Sequence, residues 1–181
     1  DSSLTRGYFA HPALLWFVAE NPIRNRKLPP NIVEVAEAII DAGATLDDIK
    51  YTCGLVASGL VSREMKVQVP LIEMLVRRGA SPNDALESAI GEREHEAAAA
   101  ALRLGARHTL VSAAAMGEVD LLRRMLKEKP GETEKLRALM FAAQYGRQGS
   151  VDTLLDTGLD INARLPRVYE PTALHEAAIF G

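Results

Sequence analysis

The sequence lacks most of the features that mark secreted, membrane-spanning or nucleic-acid-binding proteins. Its one cysteine, Cys53, can form no internal disulfide, which predicts a reducing, cytoplasmic location, although a removed signal peptide is left open. No run of about 18 apolar residues is present, so we expect no membrane span. Lys and Arg number 21 against 24 Asp and Glu, so the basic surplus that nucleic acid or an anionic membrane attracts is missing.

Aromatic residues are also scarce, and this scarcity shapes the expected core. They make up 5% of the 181 residues, whereas hydrophobic residues as a whole make up 48%. The core must therefore be built from Ala, Leu, Val and Ile, which suits thin helices packed closely together. The length is sufficient for one domain with a sizeable core.

A ten-residue pattern recurs along the chain, and its clearest copy is Thr172–Gly181, which reads TALHEAAIFG. Thr172 can cap a helix through its side-chain oxygen, and the His175 imidazole can bond to nearby backbone. Ala177 and Ala178 leave room for a neighbouring helix, and Gly181 can end the helix in a left-handed conformation. The same register fits, with decreasing clarity, residues 137–146, 108–117, 84–93, 52–61 and 13–22.

A second pattern alternates with the first. It places apolar residues at i, i+1, i+4 and i+5, which is one stripe of a helix. Most copies of it end in glycine followed by a small or apolar residue: Gly43-Ala44, Gly79-Ala80, Gly105-Ala106 and Gly158-Leu159. The two patterns together resemble the ankyrin repeat, T-P-L-H-x-A-A-x-x-G followed by E-I-V-x-x-L-L-x-x-G-A. The resemblance covers residues 4–181. The segments at residues 52–58 and 69–75 also look like those of divergent bacterial ankyrin proteins. The alternative is another array of Ala- and Leu-rich helical hairpins.

The resemblance implies an all-α ankyrin-repeat solenoid of stacked antiparallel helix pairs. It implies a single array over residues 1–181, with approximate repeats at 13–51, 52–83, 84–107, 108–136 and 137–171 and a partial repeat at 172–181. It also implies a monomeric protein–protein interaction scaffold without catalysis, cofactor, metal, nucleic acid or membrane. The alternative function is a regulatory ankyrin arm of a larger enzyme.

The array departs from the family period of about 33 residues in informative places. Residues 23–31 and 62–67 are insertions between the two helices of one repeat. Between repeats, the intervals 79–84 and 105–108 are too short for the family's β-hairpin finger. Only residues 159–171 are long enough, so we predict one full finger there. Because the chain ends after one helix of a repeat, we expect the natural protein to continue beyond Gly181.

Three groups of residues could carry chemistry, and each has a plainer interpretation. Glu92, His95 and Glu96 share a helix face as in a di-iron site, but the second such motif is missing, which favours a solvated first turn. Cys53 has no nucleophile motif around it, which favours a buried structural thiol. Trp16 and Phe17 fit a core or cap of the first repeat better than a ligand box.

The predicted partner-binding residues lie in the C-terminal half. In the ankyrin family, partners bind the concave face formed by the fingers and the first helices. Tyr and Arg are common binding anchors. The resulting candidates are Phe141, Gln144, Tyr145, Arg164, Arg167 and Tyr169. The alternative for Phe141 is packing between repeats.

Overall fold

The structure, a computed structural model, describes residues 13–19, 27–165 and 172–180. Within these residues it contains helices and connections and no β-strand, which confirms the predicted all-α fold. The elements are a 3₁₀ helix at Leu14–Val18, α1 Ile32–Asp41, α2 Leu46–Ala57, α3 Leu60–Glu64, α4 Gln68–Arg77, α5 Pro82–Gly91, α6 His95–Arg103, α7 Leu110–Met116, α8 Val119–Leu126, α9 Glu132–Gln144, α10 Gln148–Leu155 and α11 Ala173–Phe180. The chain divides into two compact units, Asp1–Arg107 and His108–Gly181.

Unit 1, residues 1–107, is a stack of helix pairs. The 3₁₀ helix packs against α1 and α2, α2 packs against α4 and α5, and α5 packs against α6. Helix α6 contributes four fully buried alanines, at positions 97, 98, 100 and 101. Since alanine adds only a methyl group, α5 and α4 can lie close to α6, as the composition predicts.

The second helices of unit 1 are joined by ion pairs on their exposed side. Arg77 of α4 lies 3.2 Å from Glu37 of α1, and Arg78 pairs with Asp41. Arg103 of α6 lies 3.8 Å from Glu73 of α4. Exposed pairs of this kind contribute at most about 1 kcal/mol each, so they align helices that the apolar core already holds.

Unit 2, residues 108–181, is centred on α9, which packs against α7, α10 and α11. Its core includes fully buried leucines from α8, α9 and α10: Leu122, Leu139 and Leu154. Gly117 and Gly146 follow α7 and α9 with φ of 79° and 63°. These left-handed glycines end the helices as the repeat pattern predicts.

The helix starts differ from the predicted register in the weaker copies. Helix α2 begins at Leu46 and not near Thr52, because Thr45 caps it: the Asp48 N–H donates to the Thr45 hydroxyl and the Thr45 N–H donates to the Asp48 carboxylate. Thr109 and Ser112 form the same reciprocal cap before α7. Asp48 and Ser112 therefore complete these caps at the third position after the threonine, and the two helices start one residue after Thr45 and Thr109.

The predicted β-hairpin finger is not supported. The described part, residues 159–165, contains turns and no strand, and residues 166–171 lie outside the described residues. The Asp160 carboxylate accepts a hydrogen bond from the Asn162 N–H at 2.9 Å, and the Asp160 carbonyl accepts one from the Ala163 N–H at 2.9 Å. These local bonds occupy the backbone groups that a strand ladder would use.

The two predicted insertions fall on connections between helices. Residues 62–67 form the end of α3 and the turn that follows it, so this insertion adds a short helix between α2 and α4. In the other, the Pro29 carbonyl accepts from the Ile32 N–H at 3.1 Å where α1 begins. Residues 20–26 lie outside the described part of the chain.

Candidate functional site

Exposed large apolar side chains are unevenly distributed among the described helices. They lie on the 3₁₀ helix, on the first helices of pairs and on connections: Leu14, Leu46, Tyr51, Leu60, Met65, Ile161 and Leu174. Tyr51 of α2 is 53% exposed and Leu174 of α11 is 74% exposed. The second helices α1, α4, α6, α8 and α10 carry no such residue. Among the first helices of the pairs, α2 and α11 carry such residues, whereas α5, α7 and α9 carry none.

A groove lies between α2 and α5 of unit 1. It has a volume of about 480 Å³, and Tyr51 and Leu55 of α2 contribute its apolar wall. Gly54 lets the helices approach, since a Cβ atom there would lie 3.1 Å from the Ser88 hydroxyl oxygen of α5. The Tyr51 ring packs on Trp16 with 4.3 Å between ring centroids and 42° between planes. This contact holds the phenol at the edge of the groove.

Charged groups of both signs border this groove without neutralising one another. Asp47 and Lys50 of α2 and Asp84 of α5 line it. Among the described residues, none of the three forms an ion pair or a side-chain hydrogen bond. The groove therefore offers two carboxylates and one ammonium group beside an apolar wall. A ligand with an apolar side chain next to a positive charge would match it.

The predicted C-terminal binding residues occupy different environments. Phe141 and Gln144 are partly buried on α9, and Arg164 is exposed on the connection after α10. Tyr145, at the end of α9, is 8% exposed, so it has little surface left for a partner. Arg167 and Tyr169 lie outside the described residues. Helix α11, with its exposed Leu174, packs against α9.

Sequence reasoning missed the groove in unit 1. The repeat pattern predicts the second copy at residues 52–61, so its helix would begin after Asp47 and Tyr51. In the structure these two residues lie on one side of α2 together with Leu55 and with Ser58 at its end. The signal was available in the sequence, because Thr45 and Asp48 have the spacing of a cap at the start of this helix.

The three groups that could carry chemistry have the following surroundings in the structure. Cys53 is fully buried, and burial, with a smaller effect from the negative charge of Asp84, raises the pKa of its thiol from 9.0 to about 12. A thiol with that pKa stays protonated at neutral pH and is a poor nucleophile. Glu92, His95 and Glu96 are exposed, and the described residues contain no cluster of three metal-ligating side chains. Trp16 packs against Tyr51.

Comparisons with known proteins find a distant structural likeness. No protein-family model matches the chain, and no curated protein matches it significantly. Among solved structures, the chain is similar to the human ASB11 ankyrin repeat domain, with 16% sequence identity and a TM-score of 0.43, over 93% of this chain and 77% of that one. A likeness this distant carries no argument about function. No helix in the described part of the chain is long and apolar enough to cross a membrane.

Proposed function

We propose that the chain is a protein-binding scaffold of the ankyrin type, without catalysis of its own, that holds its partner on the first-helix side. One observation carries this proposal. Large exposed apolar side chains lie on the 3₁₀ helix, on α2 and on α11, and the second helices carry none. The second helices α1, α4 and α6 are joined by ion pairs on their exposed side. Exposed apolar surface is costly in water and commonly marks a binding site.

Within unit 1, the proposed contact region on this side is the groove between α2 and α5. Tyr51 provides a large, preoriented surface with a hydroxyl group, which is a common interface anchor. Asp47 and Asp84 favour a partner segment that places a lysine or arginine beside an apolar side chain. The electrostatic part of this attraction should weaken with added salt.

Unit 2 contributes a second contact region in this proposal. It comprises five of the six residues predicted from the sequence, Phe141, Gln144, Arg164, Arg167 and Tyr169, and leaves out the buried Tyr145. Exposed Arg164 and partly buried Phe141 and Gln144 have surface to contribute. We further propose that both units form one ankyrin array that acts as a cytoplasmic monomer and binds neither nucleic acid nor membranes.

Selection of binding peptides tests the proposal. Phage displaying random short peptides would be panned on the whole chain and then assayed on a Tyr51→Ser variant and on a Glu73→Gln control from the second helix α4. We expect the selected phage to bind Tyr51→Ser about tenfold less well and the control unchanged. Equal loss on both variants, or loss on the control alone, would contradict binding through the first helices.

A further inference from the structure

A second cleft in unit 1 lies at the turns between paired helices, apart from the groove described above. It has a volume of about 550 Å³ and is bordered by the connection from α3 to α4 and the connection from α5 to α6. Six charged or titratable residues line it: Arg63, Lys66, Arg93, Glu94, His95 and Glu96.

The permanent charges of this cleft leave a positive surplus. Glu94 is 4% exposed, and its carboxylate accepts a hydrogen bond from the Arg63 guanidinium at 2.8 Å, so these two charges offset each other. In all, three cations, Arg63, Lys66 and Arg93, and two carboxylates, Glu94 and Glu96, line the cleft. Because the chain as a whole has a net charge of −3, a local surplus of positive charge is a distinct feature of this cleft.

Both of these cations occupy backbone positions that suit glycine better. Lys66 has φ of 58° and Arg93 has φ of 59°, in the left-handed region that disfavours a side chain. Six described turns place glycine in a conformation with positive φ: Gly43, Gly79, Gly105, Gly117, Gly146 and Gly158. A strained position kept by a charged residue points to a use for that charge.

The competing explanation is that these cations only complement the carboxyl ends of the preceding helices. Cations there are favourable because of the helix dipole. Lys129, which follows α8 with φ of 57°, has the same conformation and the same kind of position but does not line the cleft. It therefore provides a matched control that separates the two explanations.

We propose that this cleft binds a phosphate group, with Lys66 and Arg93 approaching it from the two turns. Ammonium and guanidinium groups donate charge-assisted hydrogen bonds to phosphate oxygens, and a dianion gains more from the positive surplus than a carboxylate does. The phosphate group could be free inorganic phosphate or part of a phosphorylated peptide. This inference does not depend on the function proposed for the first-helix side.

Nuclear magnetic resonance titration of the whole chain tests the site. The probes are inorganic phosphate, a short phosphoserine peptide and its unphosphorylated form. We expect saturable shifts of the backbone amides at residues 63–66 and 93–96 with a phosphate-containing probe and none with the unphosphorylated peptide. Binding of inorganic phosphate alone would indicate a free-ion site, and binding of only the phosphopeptide would indicate that the phosphate is recognised on a protein partner.

Two pairs of substitutions distinguish binding from folding. Lys66→Gly with Arg93→Gly should weaken binding at least about tenfold while the Tm stays equal or rises, because glycine fits the left-handed turns. Lys66→Gln with Arg93→Gln keeps both Cβ atoms and should lose binding equally. Lys129→Gly should raise the Tm similarly and leave binding unchanged. Absence of shifts with both phosphate probes, or undiminished binding by the glutamine pair, would overturn the proposal.

Discussion

The α2–α4 connection of unit 1 and the α7–α8 connection of unit 2 reverse the chain between paired helices in different ways. In unit 1, α2 reaches α4 through α3, and buried side chains satisfy the carbonyls at the end of α2. The Gln68 amide donates to the Val56, Ala57 and Gly59 carbonyls at 3.1, 3.3 and 3.4 Å, and the Ser62 hydroxyl donates to Val56 at 3.0 Å. In unit 2, α7 reaches α8 through Gly117, whose N–H donates to the Ala114 carbonyl at 3.2 Å.

The difference shows what an insertion between helices requires. The last carbonyls of a helix have no partner within it, and a left-handed glycine lets the following backbone N–H groups supply one. In a longer connection the following backbone N–H groups lie too far from these carbonyls. Buried polar side chains must then donate the hydrogen bonds instead. The α2–α4 connection should therefore be sensitive to the loss of buried polar side chains, and the α7–α8 connection to the loss of glycine.

The largest effect is expected for Gln68→Ala. Gln68 is 3% exposed, so alanine would leave a cavity and three carbonyls without this donor. We expect a loss of about 2–4 kcal/mol in the free energy of unfolding, measured with urea. Gln148→Ala, at an exposed position on α10, is the control and should change stability by less than about 0.5 kcal/mol. A Gln68 effect as small as the control would break the comparison.

Substitution of the glycine in unit 2 should have the next largest effect. At Gly117, φ is 79° and a Cβ atom would lie 3.3 Å from the Cδ atom of Arg147, so Gly117→Ala should cost about 1–2 kcal/mol. Gly91 at the end of α5 has nothing within 4 Å of an added Cβ atom. Gly91→Ala should therefore leave stability unchanged or raise it slightly. Equal thermal unfolding of the two variants would show that the left-handed conformation is not what Gly117 provides.

Two buried serines, one in each unit, should give smaller changes in stability that test the same comparison. Ser62 is fully buried and hydrogen-bonded, whereas the hydroxyl of fully buried Ser150 in α10 has no hydrogen-bond partner among the described residues. Ser62→Ala should cost about 1–2 kcal/mol, and Ser150→Ala should be neutral or stabilising by up to about 1 kcal/mol. Chemical denaturation of both variants measures this. Comparable losses would mean that the hydrogen bonds of Ser62 do not matter.

The ionisation of Cys53 should have the smallest effect on stability at neutral pH. The thiol pKa is about 12 in the folded chain against an ordinary 9.0, so the folded state keeps its proton longer as pH rises. Stability should be insensitive to this group below pH 9.0 and should fall above it, because the unfolded chain ionises first. A thiol reagent at neutral pH should label unfolded chain quickly and folded chain very slowly. Rapid labelling of folded chain would contradict the burial.

Much of the fold could be predicted from the sequence because the relevant signals are local. Alanine-rich helices, apolar stripes and the glycines at 117 and 146 each predict their structure directly. The N-cap of α2 lies at Thr45, seven residues before the predicted copy at 52–61, and its signal is the cap spacing of Thr45 and Asp48. A turn lies at Asp160 where the sequence predicts a strand. The Asp160 carboxylate accepts the hydrogen bond from the Asn162 N–H that a strand would use for pairing.

The candidate site was harder to predict because it depends on the contact between two helices. Gly54 and Ser88 bring α2 and α5 together, and nothing in either segment alone indicates that contact. Tyr145 is a residue that the sequence suggested as a binding anchor and that the structure places in the interior. Its aromatic and polar character suggests an anchor, but its placement at the end of α9 buries most of its surface.

Site-specific photo-crosslinking most directly tests the claim that the first helices hold a protein partner. A benzophenone side chain would replace Tyr51 on α2 in one variant and Glu73 on α4 in another, and each would be irradiated in lysate of the organism of origin. Both positions are exposed, so access to the reagent is matched. We predict a discrete protein adduct from the Tyr51 position and none from the Glu73 position. Equal adducts from both positions, or an adduct from Glu73 alone, would contradict the account.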